Sequence, residues 1–304
     1  MPFDELTASI ASRMLGKAGL SIAPEQLDIE ARSERWLVRL PEQRLAWFAA
    51  SEDGLRRLKI ERRVLGLLAD RCTFEAPRIL LADPEFEVRS MVPGIEDPWS
   101  LYSEVLDSSR VAERVGAELG RILAEQHSRI RVDDVADWLP RELHWPPPGS
   151  WIRERLASVV ADQELLAKAD AVITVYENIP VAESERALVH SDVGLHNLCV
   201  DRESHTVSGV FDYYGAAWAD RHHDFRYLVL DEDCDELLGA ALEVYEPAVG
   251  HSIERGRVLL YNAACALSFL AFRAGTAPEK RSCGRTLEQD LRWTRLAIAR
   301  TLAA

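Results

Sequence analysis

The sequence has no run of about 18 apolar residues, which argues against a membrane-spanning helix. It has five cysteines, at positions 72, 199, 234, 265 and 283. The count is odd and no two are close, which excludes a zinc knuckle or a redox CxxC pair. They read as small buried apolar residues in a reducing compartment. No internal repeat and no low-complexity tract is present. Basic residues are in deficit, 36 Lys and Arg against 50 Asp and Glu, for a net charge of −14. Such a field repels phosphate backbones and excludes nucleic acid as a natural partner. It suits a cationic small substrate, and equally plain solubility. The opening residues "MPFDELTASIASRMLGKAGL" carry acids early and have no uncharged apolar block. They read as an amphipathic helix of a cytoplasmic protein without membrane attachment.

What is there is a chain of 304 residues, 47% hydrophobic and 28% charged, enough for one large domain or two lobes. "RWLVRL" (35–40) and "RLAWFAA" (44–50) read as a hairpin. Leu55, Leu58, Val64, Leu65 and Leu68 form a helical stripe. Strands are expected at 78–82 and 86–92. "PGIEDPWS" (93–100) is rich in breakers and reads as a hinge. Helices are expected at about 109–130, 151–176, 223–231, 235–246, 252–274 and 284–302. Strand character returns only around 187–212. The expected fold is α+β and bilobal, with a small β-rich N-lobe at 1–92. A larger, mostly helical C-lobe at 93–304 would hold the catalytic loop.

The chemistry concentrates in "ALVHSDVGLHNLCVD" (187–201). Two apolar stretches flank His190, Asp192, His196 and Asn197. Fifteen residues beyond Asn197, at the end of the β-type run "VSGVF", comes Asp212. Phosphoryl transfer needs such a layout. One carboxylate, Asp192, orients the proton of an attacking hydroxyl, while Asn197 and Asp212 offer hard oxygens to Mg²⁺ on nucleotide phosphates. Flanking strands would fix the loop. His190 reads as a hydrogen-bonded loop former. His196, His222 and His223 read as ordinary surface or loop residues.

The pattern H-S-D-x-x-x-x-N, followed by "GVFDYYGAAWADRHHDFRYL", resembles the aminoglycoside phosphotransferase family. That family is related to choline kinases and shares the protein-kinase-like fold. Ser191 stands where the family's loop has Gly. The resemblance implies an ATP-dependent (or other NTP-dependent) O-phosphotransferase using Mg²⁺ and acting on a small-molecule hydroxyl. It implies that Asp192 is the catalytic base, that Asn197 and Asp212 are metal ligands, and that Asp224 in "ADRHHDF" braces the loop.

The first lobe departs from the family. The turn "IEARSER" (29–35) has no glycine, and the third strand has Phe48 where the resemblance calls for Lys. The acid partner is present as Glu61. Arg32, Arg35, Arg39 and Lys59 are the candidate replacements for the missing cation. A second reading is therefore a non-catalytic, kinase-like binding module with a degenerate nucleotide site. In the C-lobe, "LDEDCDELL" (230–238) offers Asp231, Glu232 and Asp235 to an amine-bearing substrate. The same acids also suit the start of a helix. Trp138, Trp145 and Trp151 could wall an aromatic substrate or anchor their loop onto the core.

Overall fold

Thr7 caps the first helix, α1 (Ala8–Lys17), by accepting the Ile10 N–H at 3.3 Å. The computed structural model describes residues 5–32, 34–230 and 234–303. Beyond α1 the chain forms β1 (Asp28–Ala31), β2 (Arg35–Leu40), β3 (Arg44–Ala49), α2 (Glu52–Arg71), β4 (Ile79–Ala82) and β5 (Phe86–Ser90). The strands make one antiparallel sheet in the order β1-β2-β3-β5-β4.

Alternation along β3 decides what each face of this sheet does. Ala46 and Phe48 are buried with Val38, Phe86 and Val88 against Ala11 and Leu15 of α1. The Phe48 and Phe86 rings stack at 4.7 Å. Their neighbours Leu45 and Trp47 point the other way and line a cleft. Period-two geometry makes this exclusive, because adjacent residues cannot share a face. Phe48 is thus a core residue of the outer face, and Trp47 is the cleft residue of the third strand. α2 starts at Ser51, whose hydroxyl accepts the Gly54 N–H at 2.9 Å. Its stripe of Val64, Leu65 and Leu68 packs into the same core as Val115 and Leu119, two residues of the helical part.

The helical part contains α3 (Pro98–Asp107), α4 (Ser109–Arg129), the single turn α5 (Val132–Val135), α6 (Gly149–Val159) and α7 (Gln163–Asn178). Four short strands follow, β6 (Arg186–Val189), β7 (Leu198–Asp201), β8 (Thr206–Val210) and β9 (Ala217–Asp220). α8 (Asp235–Val249), α9 (Arg255–Phe272) and α10 (Leu287–Ala303) complete the chain. β6 pairs with β9 and β7 with β8, both antiparallel. α4 lies close along α8, since a Cβ on Gly120 would come within 2.3 Å of the Ala241 carbonyl oxygen.

The α+β architecture agrees with the sequence, but four elements differ, the first being β9, which lies beyond the 187–212 stretch where strands are expected and pairs back onto β6. The breaker-rich 93–100 segment leads into α3, with Pro98 at its first turn and Asp97 accepting the Ser100 N–H. The expected helix at 151–176 is two helices, because Asp162 turns its carboxylate onto the Glu164 and Leu165 N–H groups and starts α7. The expected helix at 223–231 is a 3₁₀ segment, Arg221–Leu228. No helix among the described residues is long and apolar enough to cross a membrane.

Candidate active site

The loop between β6 and β7 is held from beneath by Asp224. This fully buried carboxylate accepts the His190 N–H at 2.9 Å and the Ser191 N–H at 2.7 Å. It also accepts from His127 Nε2 at 3.1 Å and Gln126 Nε2 at 3.2 Å. Burial alone would raise its pKa, but the His127 hydrogen bond and the His190 N–H hold it below the ordinary carboxylate value. Arg226, fully buried, donates to the Ser191 carbonyl. Ser191 itself has φ +71°, and its hydroxyl donates to Gly215 O at 2.8 Å. A left-handed serine is costly, and this hydrogen bond offsets the cost locally.

These contacts fix the polar groups of the loop. His190 donates Nε2–H to Phe211 O at 2.8 Å, and its Nδ1 accepts the Asp192 N–H at 3.2 Å. Both ring nitrogens are therefore engaged. Asp192 Oδ2 accepts from Asn197 Nδ2 at 3.1 Å and lies 3.3 Å from His196 Nε2. Their pairing shifts both groups, His196 bringing the Asp192 carboxyl below its ordinary value and Asp192 raising the His196 imidazole. Asn197 Nδ2 also donates to the Asp192 carbonyl at 2.9 Å. Nδ2 is then committed to Asp192, and the Oδ1 lone pairs are left to accept a hydrogen bond or bind a cation. Asp212, two residues past the end of β8, adopts φ +65° and ψ +58° and keeps 39% of its side chain exposed.

The cleft of about 490 Å³ between sheet and loop gathers Asp192, Asn197 and Asp212 with Arg35, Trp47 and Arg89. Its charges are paired across the fold. Arg35 reaches Glu61 Oε2 at 3.0 Å and Asp212 Oδ1 at 2.7 Å, joining the sheet to the end of the β8 run. Its guanidinium lies between the Trp47 ring at 3.8 Å and the Tyr214 ring at 4.3 Å. Arg89 grips Glu61 through two bonds of 2.6 and 2.8 Å and donates Nε–H to Glu87 at 2.5 Å. Arg62 closes the network on the other oxygen of Glu87 at 2.6 Å. Burial would raise Glu61, but Arg89 first and Arg35 second hold it below its ordinary value.

Of the cations expected at the cleft, Arg35 sits within the charge network. Arg32 and Arg39 line the rim, exposed and paired with Glu30 at 2.9 and 3.4 Å. Lys59 is exposed on α2 and is not among the cleft-lining residues. Asp231 and Glu232 lie outside the described residues. Asp235 starts α8 and lines a separate hollow with Arg255 and Arg300, away from Asp192. His196 is more than a surface residue, since it pairs with Asp192. His222 and His223 are buried, at 0% and 5% exposure. Two cleft residues, Arg89 and Trp47, are not singled out by the sequence alone. A signal for Arg89 exists in "FEVRSMV", where Glu87 and Arg89 fall on one face of a strand.

The buried histidines set a pH dependence. His223, stacked on Tyr261 at 3.7 Å, is pushed well below the ordinary histidine value by burial and then by the Arg226 charge. His127 is lowered by burial. Each takes up a proton in the unfolded chain near pH 6.5 but in the folded chain only at lower pH. Stability is therefore full above about pH 6.5 and falls as pH drops, by up to roughly 1.4 kcal/mol per pH unit for each histidine. Denaturation midpoints are expected to fall from pH 7 to pH 5, and His223→Gln should reduce that slope. A flat profile would contradict this.

A sequence model of the phosphotransferase enzyme family matches residues 25–260. No curated protein matches the chain. Among solved structures, the GDP complex of wild-type aminoglycoside 2′-phosphotransferase-IIIa is 16% identical, with 97% of this chain and 99% of that chain covered and a TM-score of 0.71. The macrolide 2′-phosphotransferase MphH apoenzyme from Brachybacterium faecium is 17% identical, with 96% of both chains covered and a TM-score of 0.62. The streptomycin–ATP ternary complex of APH(2″)-IIa is 15% identical, with 99% and 97% covered and a TM-score of 0.60. These likenesses show a shared fold over nearly the whole chain. The family match spans the sheet, the catalytic-type loop and most of the helical part, and the chain belongs to the phosphotransferase enzyme family.

Proposed function

We propose that the protein transfers the γ-phosphoryl group of a nucleoside triphosphate to a hydroxyl of a small molecule. The observation that carries this reading is the convergence of Asp192, Asn197 and Asp212 on one cleft, each fixed by a neighbouring strand end. Solved relatives in complex with GDP and with ATP support a nucleotide in that cleft. In this reading residues 1–92 and 93–304 are two lobes with the nucleotide between them.

Mg²⁺ fits the donor set. Asn197 Oδ1 and the Asp212 carboxylate are hard oxygens, and Cys199, which also lines the cleft, is kept protonated by burial, its thiol pushed up to about 11. Bound there, the ion would offset phosphate charge. The chain's residues do the rest. Asp192, ionised, orients the acceptor hydroxyl and takes its proton. Asn197 holds Asp192 in place through the carbonyl and the carboxylate together. Asp224 keeps the loop from rotating away.

Arg35 takes the part of the third-strand lysine. It reaches the cleft from β2 and pairs with Glu61, as a lysine from β3 would, while Trp47 and Tyr214 hold its fork flat. Arg89 pairs with the same Glu61. Phosphate oxygens entering the cleft meet Arg35, which exchanges its contact with Asp212 for them.

Asp212→Ala tests the reading. Nucleotide affinity with Mg²⁺ should fall about tenfold or more, while affinity measured in EDTA should hold or improve, because a carboxylate without a cation repels phosphate. Calorimetric titration of ATP and GTP in both conditions measures this. A variant whose Mg²⁺ dependence equals the parent's would remove Asp212 from the ligand set.

A further inference from the structure

We propose that the acceptor is an uncharged alcohol carrying a rigid apolar or aromatic ring system, held by aromatic faces rather than by carboxylates. The proposal rests on the phosphotransferase reading of Asp192. Two hollows open on Asp192 beside the nucleotide cleft. One, of about 470 Å³, is walled by Trp99, Tyr102, Tyr227, Phe269 and Trp293. The other, of about 280 Å³, adds Trp145 and Phe272 and shares Tyr227 and Phe269.

Two of these rings have their polar atoms engaged within the protein. Trp145 Nε1–H donates to Cys265 Sγ at 3.4 Å, and Cys265 donates to the Tyr227 hydroxyl at 3.1 Å. Trp145 then packs edge-on against Phe269 at 5.3 Å and Phe272 at 6.4 Å. Among the described residues only two aromatic side chains rank as exposed large apolar groups, Trp99 and Phe272, both at 53%. Each of them faces one of these hollows. Leaving two such rings in water beside a reactive carboxylate costs solvation, and an apolar ligand recovers it.

Trp99 is also held in position. Gly284 has φ +78°, and a Cβ there would lie 2.4 Å from Trp99 Cζ2. The loop before α10 therefore comes close enough to seat the indole, and only glycine permits it.

Charge argues the same way. Among the described residues lining the two hollows, the carboxylates are Asp192 and Asp212 alone, both committed to the transfer chemistry. Arg285 lines the larger hollow, bound to Asp290 at 3.0 Å and lying over the Trp293 ring at 4.8 Å. A polycationic amine would meet a guanidinium and histidines there, and among the described lining residues no carboxylate is spare to pair its ammonium groups. An uncharged ring needs none. In the step itself the alcohol oxygen bonds to the γ-phosphorus as its proton passes to Asp192. The bond from that phosphorus to the β-bridging oxygen breaks, and the products are a phosphate monoester and a nucleoside diphosphate.

Calorimetric titrations of the full chain with 2-naphthaleneethanol and, separately, with kanamycin test the pocket without nucleotide. The naphthyl alcohol should bind, Trp99→Ala and Phe272→Ala should each weaken it about five- to tenfold, and kanamycin should give no heat at the same concentrations. Both side chains are half exposed, and unchanged melting curves would show the folds intact. Binding of kanamycin with none of the alcohol, no binding of the alcohol up to 10 mM (roughly the weakest affinity an apolar pocket of use would have), or variants that bind as the parent does would each overturn the proposal. Melting curves with Mg-ATP and Mg-GTP on the same samples separate the two claims. A nucleotide response without alcohol binding sinks the pocket alone, and alcohol binding without a nucleotide response keeps the pocket and sinks phosphoryl transfer.

Discussion

Asp192→Asn is expected to lower turnover by about 10²–10⁴, the usual loss when a general base is removed. The carboxamide keeps the shape of the side chain and one acceptor oxygen, so the Asn197 contact at 3.1 Å can persist. The Asp224 bonds beneath the loop are untouched. Nucleotide affinity should therefore change little while the rate collapses. A second readout comes from His196, whose raised pKa depends on the Asp192 charge. In the variant its NMR titration should move back toward the ordinary histidine value. A variant that turns over substrate at the parent's rate would end the assignment of Asp192 as base.

Glu61→Gln carries the largest expected loss of stability. Glu61 is fully buried and is the shared partner of Arg35 and Arg89. Removing its charge leaves two guanidinium groups short of compensation inside the fold, and breaking a buried pair in this way typically costs about 3–5 kcal/mol. In a chain of this size that lowers the melting temperature by roughly 10 °C. Burial would raise the Glu61 carboxyl, and Arg89 and Arg35 reverse that. Its contribution is thus present above the ordinary carboxylate value and is lost as pH falls through the lower folded value. The destabilisation by Glu61→Gln should accordingly shrink as pH falls below the ordinary glutamate value of about 4.3. Denaturant titrations of parent and variant at two pH values check both points, and a loss under about 1 kcal/mol at neutral pH would mean that Arg35 and Arg89 are satisfied elsewhere.

The loop around Asp192 is legible in the sequence because its signal is local. Polar groups at fixed spacing between two short β-type runs read as a loop between strands, and β6 and β7 flank it. The sheet strands are legible for the same reason, through alternation. The face that each β3 residue presents is not. Phe48 and Trp47 are both large and aromatic, so the period-two pattern does not say which one is inward, and the choice depends on α1 covering the outer face. Arg89 escapes because its meaning lies in a partner 28 residues away. The joining of Arg35 to Asp212 spans 177 positions and exists only when sheet and loop are brought together. The acceptor side shows the limit most clearly. Asp231 and Glu232 lie outside the described residues and Asp235 lines a separate hollow, while the described aromatic walls beside Asp192 come largely from single residues on α3, α9, α10 and the residue 145 loop, too scattered along the chain to form a local signal.

In the proposed function the Arg35–Glu61–Arg89 network serves a nucleotide cleft although the third strand has no lysine. Thermal unfolding of the parent chain and of Arg35→Ala with Mg-ATP and with Mg-GTP tests it most directly. A ligand at about 100 times its Kd stabilises the folded state by roughly 2.7 kcal/mol, a rise of several degrees. That rise is expected in the parent with at least one of the two nucleotides, with its loss when Mg²⁺ is removed and a much smaller rise in Arg35→Ala. An unfolding temperature that neither nucleotide moves, with or without Mg²⁺, would contradict it.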